Sequence, residues 1–168
     1  MSETMDDLGE IRTTGETFEI VFQRRYDRPV EKVWAALTVP ERIADWLGEF
    51  EIARWEVGAP IGLHFPEADY RAAGVVTAYD PPRRVAWTWP QDGRPSEVRF
   101  ELEPDGAGCR LTLTQTGLTP KDGPGVAAGW HAHLGGFERA VDGIKTSWAD
   151  VLALEKTVNQ AYKDRAPG

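Results

Sequence analysis

The sequence predicts an α+β fold in which a curled antiparallel sheet wraps around a long helix near the C-terminus. Three observations predict it: a helical pattern over residues 123–144, six earlier runs with alternating apolar residues, and short turns between those runs. In the helical pattern the apolar residues recur every three or four positions, at Trp130, Leu134, Phe137, Val141 and Ile144. One face of this helix should therefore be buried against the sheet.

The elements before the long helix follow from local patterns. The alternating run ETFEIVFQRRY predicts a first long strand that directs Arg24 and Tyr26 inward together with its apolar residues. Pro29 and Pro40 each suit the first turn of a helix, so two short helices should follow this strand. The period then changes to two, which predicts the rest of the sheet. The six runs are FEIARWEV, PIGLHFP, RAAGVVTAY, RRVAWTW, SEVRFELE and CRLTLTQT.

Length and pattern together predict one domain with an added helix. A chain of 168 residues lies within the usual size of a single domain. Residues 1–8 are expected to be flexible, residues 9–145 to form the domain, and residues 146–164 to form an additional C-terminal helix packed on it. Ser147 and Asp150 resemble a capping box at the start of that last helix.

The charge and the N-terminal residues bound the partners and the location. A net charge of −8 argues against nucleic acid, whose binding depends on Lys and Arg contacts to phosphates. The start MSETMDDLGE has no basic region followed by an apolar run, so a cytoplasmic location is expected. The helical pattern is amphipathic, so no membrane span is expected. Whether the chain forms a homodimer is left open.

Motifs for catalysis, metals and cofactors are not found, so no catalytic residue, metal or cofactor is predicted. The three histidines are His64, His131 and His133, and the last two lack the four-residue spacing of a helical metal pair. One of these two imidazoles could face a cavity, or both could form structural hydrogen bonds. His64 could act with Glu67 or Asp69 in acid–base chemistry, although these carboxylates are expected to be solvated.

Aromatic residues on the facing surfaces of sheet and helix are the candidates for a ligand cavity. Trp87, Trp89 and Trp130 would either fill the core or line such a cavity, since ligand pockets are largely apolar with few polar groups. Leu134 is expected to be a cavity wall that Leu134→Trp would fill. Arg24 would pair with a core carboxylate or reach the rim of the sheet, or else bind an anion in the pocket. The candidate ligand-binding residues are Arg24, Tyr26, Trp46, His64, Trp87, Trp89, Phe100, Trp130, His131, His133, Leu134 and Phe137.

Four stretches carry a resemblance to a known superfamily: RRYDRPVEKVWAALTVPERIADWLG, YDPPRRVAWTW, FELEPDGAGCRLTLTQTGL and AAGWHAHL. Between Gly9 and Tyr162 the chain resembles START-like (SRPBCC) proteins, and in particular the bacterial homologues of the activator of heat-shock protein 90 ATPase. The resemblance implies a helix-grip fold with a cavity that different members use for lipids, polyketides or hormones.

Two departures from this family pattern bear on the site. Gly135 and Gly136 lie in the middle of the predicted helix, where each glycine costs about 1 kcal/mol relative to alanine. They would allow close packing of the last helix, bend the long helix, or have no consequence. The resemblance also extends only to the sheet-and-helix domain and not to the separate N-terminal domain of the eukaryotic activators. A full chaperone-stimulating role is therefore not expected.

Three functions remain open at this stage. The preferred one is the non-enzymatic binding or carriage of a small apolar or amphipathic molecule between the sheet and the long helix. A chaperone-regulating interaction module would show a filled interior and an exposed apolar patch. An enzyme of the polyketide cyclase or hydrolase kind would need two titratable groups in one cavity.

Overall fold

The computed structural model of the chain describes residues 8–91 and 93–165. The predicted flexibility of the N-terminus concerns residues that, apart from Leu8, lie outside this part of the chain. The strands are β1 Glu10–Thr14, β2 Thr17–Tyr26, β3 Glu49–Glu51, β4 Pro60–Phe65, β5 Tyr70–Asp80, β6 Arg84–Thr88, β7 Glu97–Asp105 and β8 Gly108–Leu118. The helices are α1 Val30–Thr38, α2 Pro40–Ile43, α3 Gly123–Leu134, α4 Phe137–Val141 and α5 Trp148–Arg165, with a 3-10 turn at Pro66–Ala68.

The strands form one antiparallel sheet of eight in the order β1-β2-β8-β7-β6-β5-β4-β3. Its inner face carries the predicted apolar positions, and Val85, Val98 and Phe100 are buried there. The short helices α1 and α2 follow the first long strand, and the C-terminal helical segment lies against the inner face. The predicted α+β helix-grip fold is thus confirmed.

The run FEIARWEV is a strand only at its start, which corrects the prediction for its second half. β3 ends at Glu51, and Trp55 does not continue the strand but makes its own contacts. The Trp55 indole N–H donates to the carbonyl of Thr38 over 2.7 Å, and its ring stacks on Phe50 and Tyr79 at centroid distances of 5.5 and 5.8 Å. These contacts hold residues 52–59 as a loop over one end of the sheet.

The predicted helix over residues 123–144 is divided into α3 and α4 at Gly135 and Gly136. A Cβ added at Gly136 would overlap the side chain of Thr146, so the segment before α5 packs directly on this glycine. Both the interruption and the close packing that the two glycines suggested are therefore present. Ile144, the last predicted member of the buried stripe, lies beyond α4 and is 53% exposed, so its predicted burial is wrong.

Helix α5 packs along α3 through a few buried side chains. Val151, Val158 and Tyr162 are buried in this contact, and Ser147 Oγ accepts the backbone N–H of Asp150 over 3.2 Å at the start of the helix. The Tyr162 hydroxyl accepts the backbone N–H of Gly9 over 2.8 Å. Within residues 8–91 and 93–165, no helix has both the length and the apolar character to cross a membrane.

Candidate functional site

A cavity of ≈ 320 Å³ lies between α3 and the inner face of the sheet. Its walls come from the end of β4, the start of β5, the hairpin that follows β6, one residue of β8, and one side of α3. They are formed by Phe65, Tyr70, Trp89, Gln91, Gln115, Gly125, Val126, Gly129, Trp130 and His133. The volume is at the lower end of the roughly 300–1,000 Å³ of ligand pockets, which suits one small molecule.

Four aromatic rings make up most of the apolar wall. Trp89 and Trp130 meet nearly at a right angle, with centroids 5.7 Å apart and an interplanar angle of 87°. Phe65 lies 6.0 Å from Trp89 and 5.8 Å from Tyr70. Rings that contact each other in this way restrain one another, so the wall is largely preformed.

The polar groups in the wall are mostly bonded to other protein groups. The Trp130 indole N–H donates to Oε1 of the buried Gln115 over 2.6 Å, and Gln115 Nε2 donates to Ser96 Oγ over 2.9 Å. The Trp89 indole N–H donates to the Tyr70 hydroxyl over 2.9 Å. Both indole donors are therefore used inside the protein, and the two tryptophans present apolar ring surface to a ligand.

Two glycines of α3 keep the entrance of the cavity wide. A Cβ added at Gly125 would have no heavy atom within 4 Å, so the entrance beside it is open space. At Gly129 the added Cβ would lie 3.7 Å from Glu155 Oε2 of α5. An ion pair between Arg94 and Asp122 joins the hairpin after β6, which carries Trp89 and Gln91 of the wall, to the residue before α3.

His133 forms the inner wall in its neutral state. Its Nδ1 donates to the carbonyl of Trp46 over 3.0 Å, and burial lowers the pKa of the imidazole to about 4. Phe65 stacks on this imidazole at a centroid distance of 5.6 Å and an angle of 22°. A smaller pocket of ≈ 140 Å³, which includes Lys145 and Trp148 in its wall, shares Phe65 and His133 with the cavity. The stacked pair therefore separates the two spaces.

Of the residues predicted for ligand binding, Trp89, Trp130 and His133 line the cavity. The sequence reasoning missed Phe65, Tyr70, Gln91, Gln115, Val126 and the two glycines. Phe65 and Tyr70 flank the turn between β4 and β5, and an aromatic residue on each side of that turn was a signal that could have been used. Gln115 could have been found as a polar residue in an otherwise apolar alternating strand.

The second half of the predicted cavity is filled by aromatic rings. Phe137 of α4 packs on Trp46 at 4.8 Å and on Tyr26 at 5.2 Å, and Phe100 lies 5.9 Å from Trp130. Tyr26, Phe100 and Phe137 are in the wall of neither space beside α3, whereas Trp46 lines the smaller pocket.

Leu134 and Trp87 are buried in the core, each 2% exposed, and line neither of these spaces. The expectation that Leu134 is a cavity wall is corrected by this placement. The residues of α3 that line the cavity are instead Gly125, Val126, Gly129, Trp130 and His133.

The remaining three candidates lie away from the cavity. Arg24 is half-buried on β2, with its guanidinium 5.4 Å from the centre of the Phe22 ring, and it is not among the residues that line the cavity. His64 Nδ1 contacts Glu49 Oε2 at 3.0 Å on neighbouring strands. His131 is fully buried, and its Nδ1 lies 2.7 Å from the Tyr162 hydroxyl, so it joins α3 to α5.

The described part of the chain contains no group of three His, Cys, Asp or Glu side chains that could hold a metal ion. Among the described residues, the cavity wall includes one imidazole, one phenol and no carboxylate. The titratable side chains of the wall are Tyr70, whose hydroxyl accepts the Trp89 indole N–H, and His133, whose Nδ1 donates to the Trp46 carbonyl.

An eight-stranded antiparallel sheet around a C-terminal helical segment, with an aromatic cavity between them, defines a helix-grip protein of the START-like class. The family model described as "Activator of Hsp90 ATPase homolog 1-like protein" matches residues 27–142, well over half of the chain. The chain belongs to this family, as its sequence motifs predicted.

Solved structures with the same fold cover between 74% and 98% of the chain. The crystal structure of CalU16 from Micromonospora echinospora has 25% identity and a TM-score of 0.74, covering 94% of this chain and 95% of that chain. The solution structure of the BPP1335 protein from Bordetella parapertussis has 29% identity and a TM-score of 0.69, covering 98% and 95%. MLL2253 from Mesorhizobium loti has 26% identity and a TM-score of 0.68, covering 74% and 96%. A search of curated proteins found no match.

Proposed function

We propose that the protein binds one small apolar or amphipathic molecule in the cavity between α3 and the sheet. The observation that supports this is the cavity of ≈ 320 Å³ whose walls combine four aromatic rings with Gln91, Gln115 and His133. Aromatic surface that is already ordered loses little conformational freedom on binding. The few polar groups would fix the orientation of the ligand.

The glycine at the entrance supplies a test that does not damage the core. In Gly125→Leu the new side chain enters open space, and removing a helical glycine adds stability of about 1 kcal/mol. We expect this variant to fold at least as well as the parent and to lose the binding of a neutral hydrophobic probe such as N-phenyl-1-naphthylamine. Ala153→Leu, on the exposed face of α5, is the matched control and should bind the probe like the parent.

The probe should also stabilise the parent by mass action. At a hundredfold excess over its dissociation constant the gain is about 2.7 kcal/mol, which raises the melting temperature by roughly 5 to 10 °C. Fluorescence of the probe and a thermal melt measure the two effects. A parent that neither binds the probe nor gains stability, or a Gly125→Leu variant that still binds it, would contradict the proposal.

An interaction module that regulates a chaperone is the second candidate, favoured by the family to which the chain belongs and by the filled interior around Phe137. In this case the activity would not depend on the cavity. The rate of ATP hydrolysis by heat-shock protein 90, measured with and without the parent and the Gly125→Leu variant, tests it. Equal stimulation by both proteins would support this candidate, and no stimulation by either would exclude it.

A further inference from the structure

The charges around the cavity are distributed unevenly. Among the residues that the structure describes, its wall includes no lysine, arginine, aspartate or glutamate. The guanidinium of Arg94, close to the entrance, is already paired with Asp122. The Glu155 carboxylate of α5 lies beside Gly129, with Oε2 3.7 Å from the position that a Cβ there would occupy. Among the described residues, a charged ligand would therefore meet no cationic side chain in the wall itself, and it would have the Glu155 carboxylate beside Gly129.

Glu155 is half-buried, and within residues 8–91 and 93–165 its carboxylate has no hydrogen-bond or ion-pair partner. Burial raises the pKa of this carboxyl above its ordinary value, because the charged form loses hydration. A partly desolvated carboxylate without a partner is unfavourable, and a cation that binds next to it would remove part of that cost.

The wall also offers little to an anion. The indole N–H groups of Trp89 and Trp130 and one amide hydrogen of Gln115 are donated to protein acceptors. Gln91 Nε2 donates to the carbonyl of Trp89 over 3.1 Å. A carboxylate ligand would thus lose its hydration without gaining a charged donor.

The faces of aromatic rings favour cations over anions. Their electron density attracts a cation placed within about 6 Å of the ring centre, and this attraction increases when water is excluded. Trp89 and Trp130 form a right-angled corner, with Phe65 and Tyr70 beside it, so one ligand atom can approach several rings together. The net charge of −8 on the whole chain acts in the same direction.

We propose that the cavity selects an organic cation, a protonated amine or a quaternary ammonium group attached to a small apolar body, held by the corner of Trp89 and Trp130 and by the Glu155 carboxylate. This inference rests on the proposed binding function and specifies its ligand class. The apolar body would occupy the cavity, and the charged nitrogen would lie at the Gly129 side of the entrance.

Three probes of similar size and different charge test the proposal. They are 2-phenylethylammonium, 2-phenylethanol and 3-phenylpropanoate, each titrated into the protein at pH 7 by isothermal calorimetry. We expect the ammonium to bind at least tenfold more tightly than the alcohol, and the carboxylate to bind most weakly. In Glu155→Gln the preference for the ammonium over the alcohol should fall by about threefold to tenfold, while the affinity for the alcohol stays the same.

Asp164→Asn removes a charge from the exposed end of α5 and is the control for net charge. It should leave the preference for the ammonium unchanged. If the alcohol or the carboxylate binds as tightly as the ammonium, or if Asp164→Asn and Glu155→Gln have equal effects, the inference is wrong although the cavity binds ligands. If none of the three probes and no N-phenyl-1-naphthylamine binds, the proposed function fails together with it.

Discussion

The neutral state of buried His133 makes the stability of the protein depend on pH in a calculable way. Burial lowers the pKa of this imidazole from 6.5 to about 4 in the folded protein. In the unfolded chain the imidazole has an ordinary pKa and takes up a proton below about pH 6.5. Between pH 6.5 and 4 the unfolded state thus binds more protons than the folded state, and the free energy of unfolding decreases as the pH falls.

The size of the effect follows from the two pKa values. The full difference corresponds to about 3 kcal/mol, reached near pH 4, and about 2 kcal/mol of it is already lost at pH 5. Below pH 4 the folded protein also takes up the proton, so this contribution stops changing. At pH 7 and above, the imidazole is neutral in both states and no stability is lost through it.

Urea unfolding followed by tryptophan fluorescence, at several values between pH 7 and 4.5, measures this loss. Carboxylates such as Asp142, whose pKa is lowered by Arg28, also respond to acid, so the parent must be compared with a variant. His133→Asn retains an amide donor for the Trp46 carbonyl and cannot titrate. From pH 7 to pH 5, the free energy of unfolding should decrease by about 2 kcal/mol less in this variant than in the parent. Parallel curves for the two proteins would refute a buried, neutral His133.

Three further substitutions test the packing around the cavity. Leu134→Trp should destabilise the protein by about 1 to 3 kcal/mol in chemical denaturation, because Leu134 is 2% exposed in a filled core; unchanged stability would indicate space there. Gly136→Ala should lower the melting temperature although alanine favours helices, and Thr146→Gly should restore part of the loss; no loss would contradict the close contact. Tyr162→Phe should cost about 1 to 3 kcal/mol in denaturant titrations by leaving buried partners unsatisfied, whereas Leu152→Ala on the exposed face should have little effect.

The fold could be predicted from the sequence because its signals are local and repeated. Alternation in the strands and the spacing of Trp130, Leu134 and Phe137 each identify a buried face, and prolines and glycines mark most of the boundaries. The exception is the loop around Trp55. Its alternating pattern is that of a strand, but the hydrogen bond to Thr38 and the stacking on Phe50 override this local preference.

The cavity was harder to predict because it depends on which side chains meet in space. The sequence identifies the inward residues but not whether two rings from different elements fill the space between them. Trp46 and Phe137 are 91 positions apart in the sequence. Their rings, with centroids 4.8 Å apart, fill one end of the interior. The stacking of Phe65 on His133 and the position of Glu155 beside Gly129 likewise depend on tertiary geometry.

The position of the cavity follows from the change in side-chain size along the C-terminal helical segment. Before Trp130 the side facing the entrance carries Gly125 and Gly129, which leave space, whereas after it Leu134 and Phe137 fill the core. The interruption after α3 places the second set on a separate short helix. Substitutions in the first half should therefore change ligand affinity with little effect on folding. Those in the second half should change stability, even though both halves belong to one amphipathic pattern.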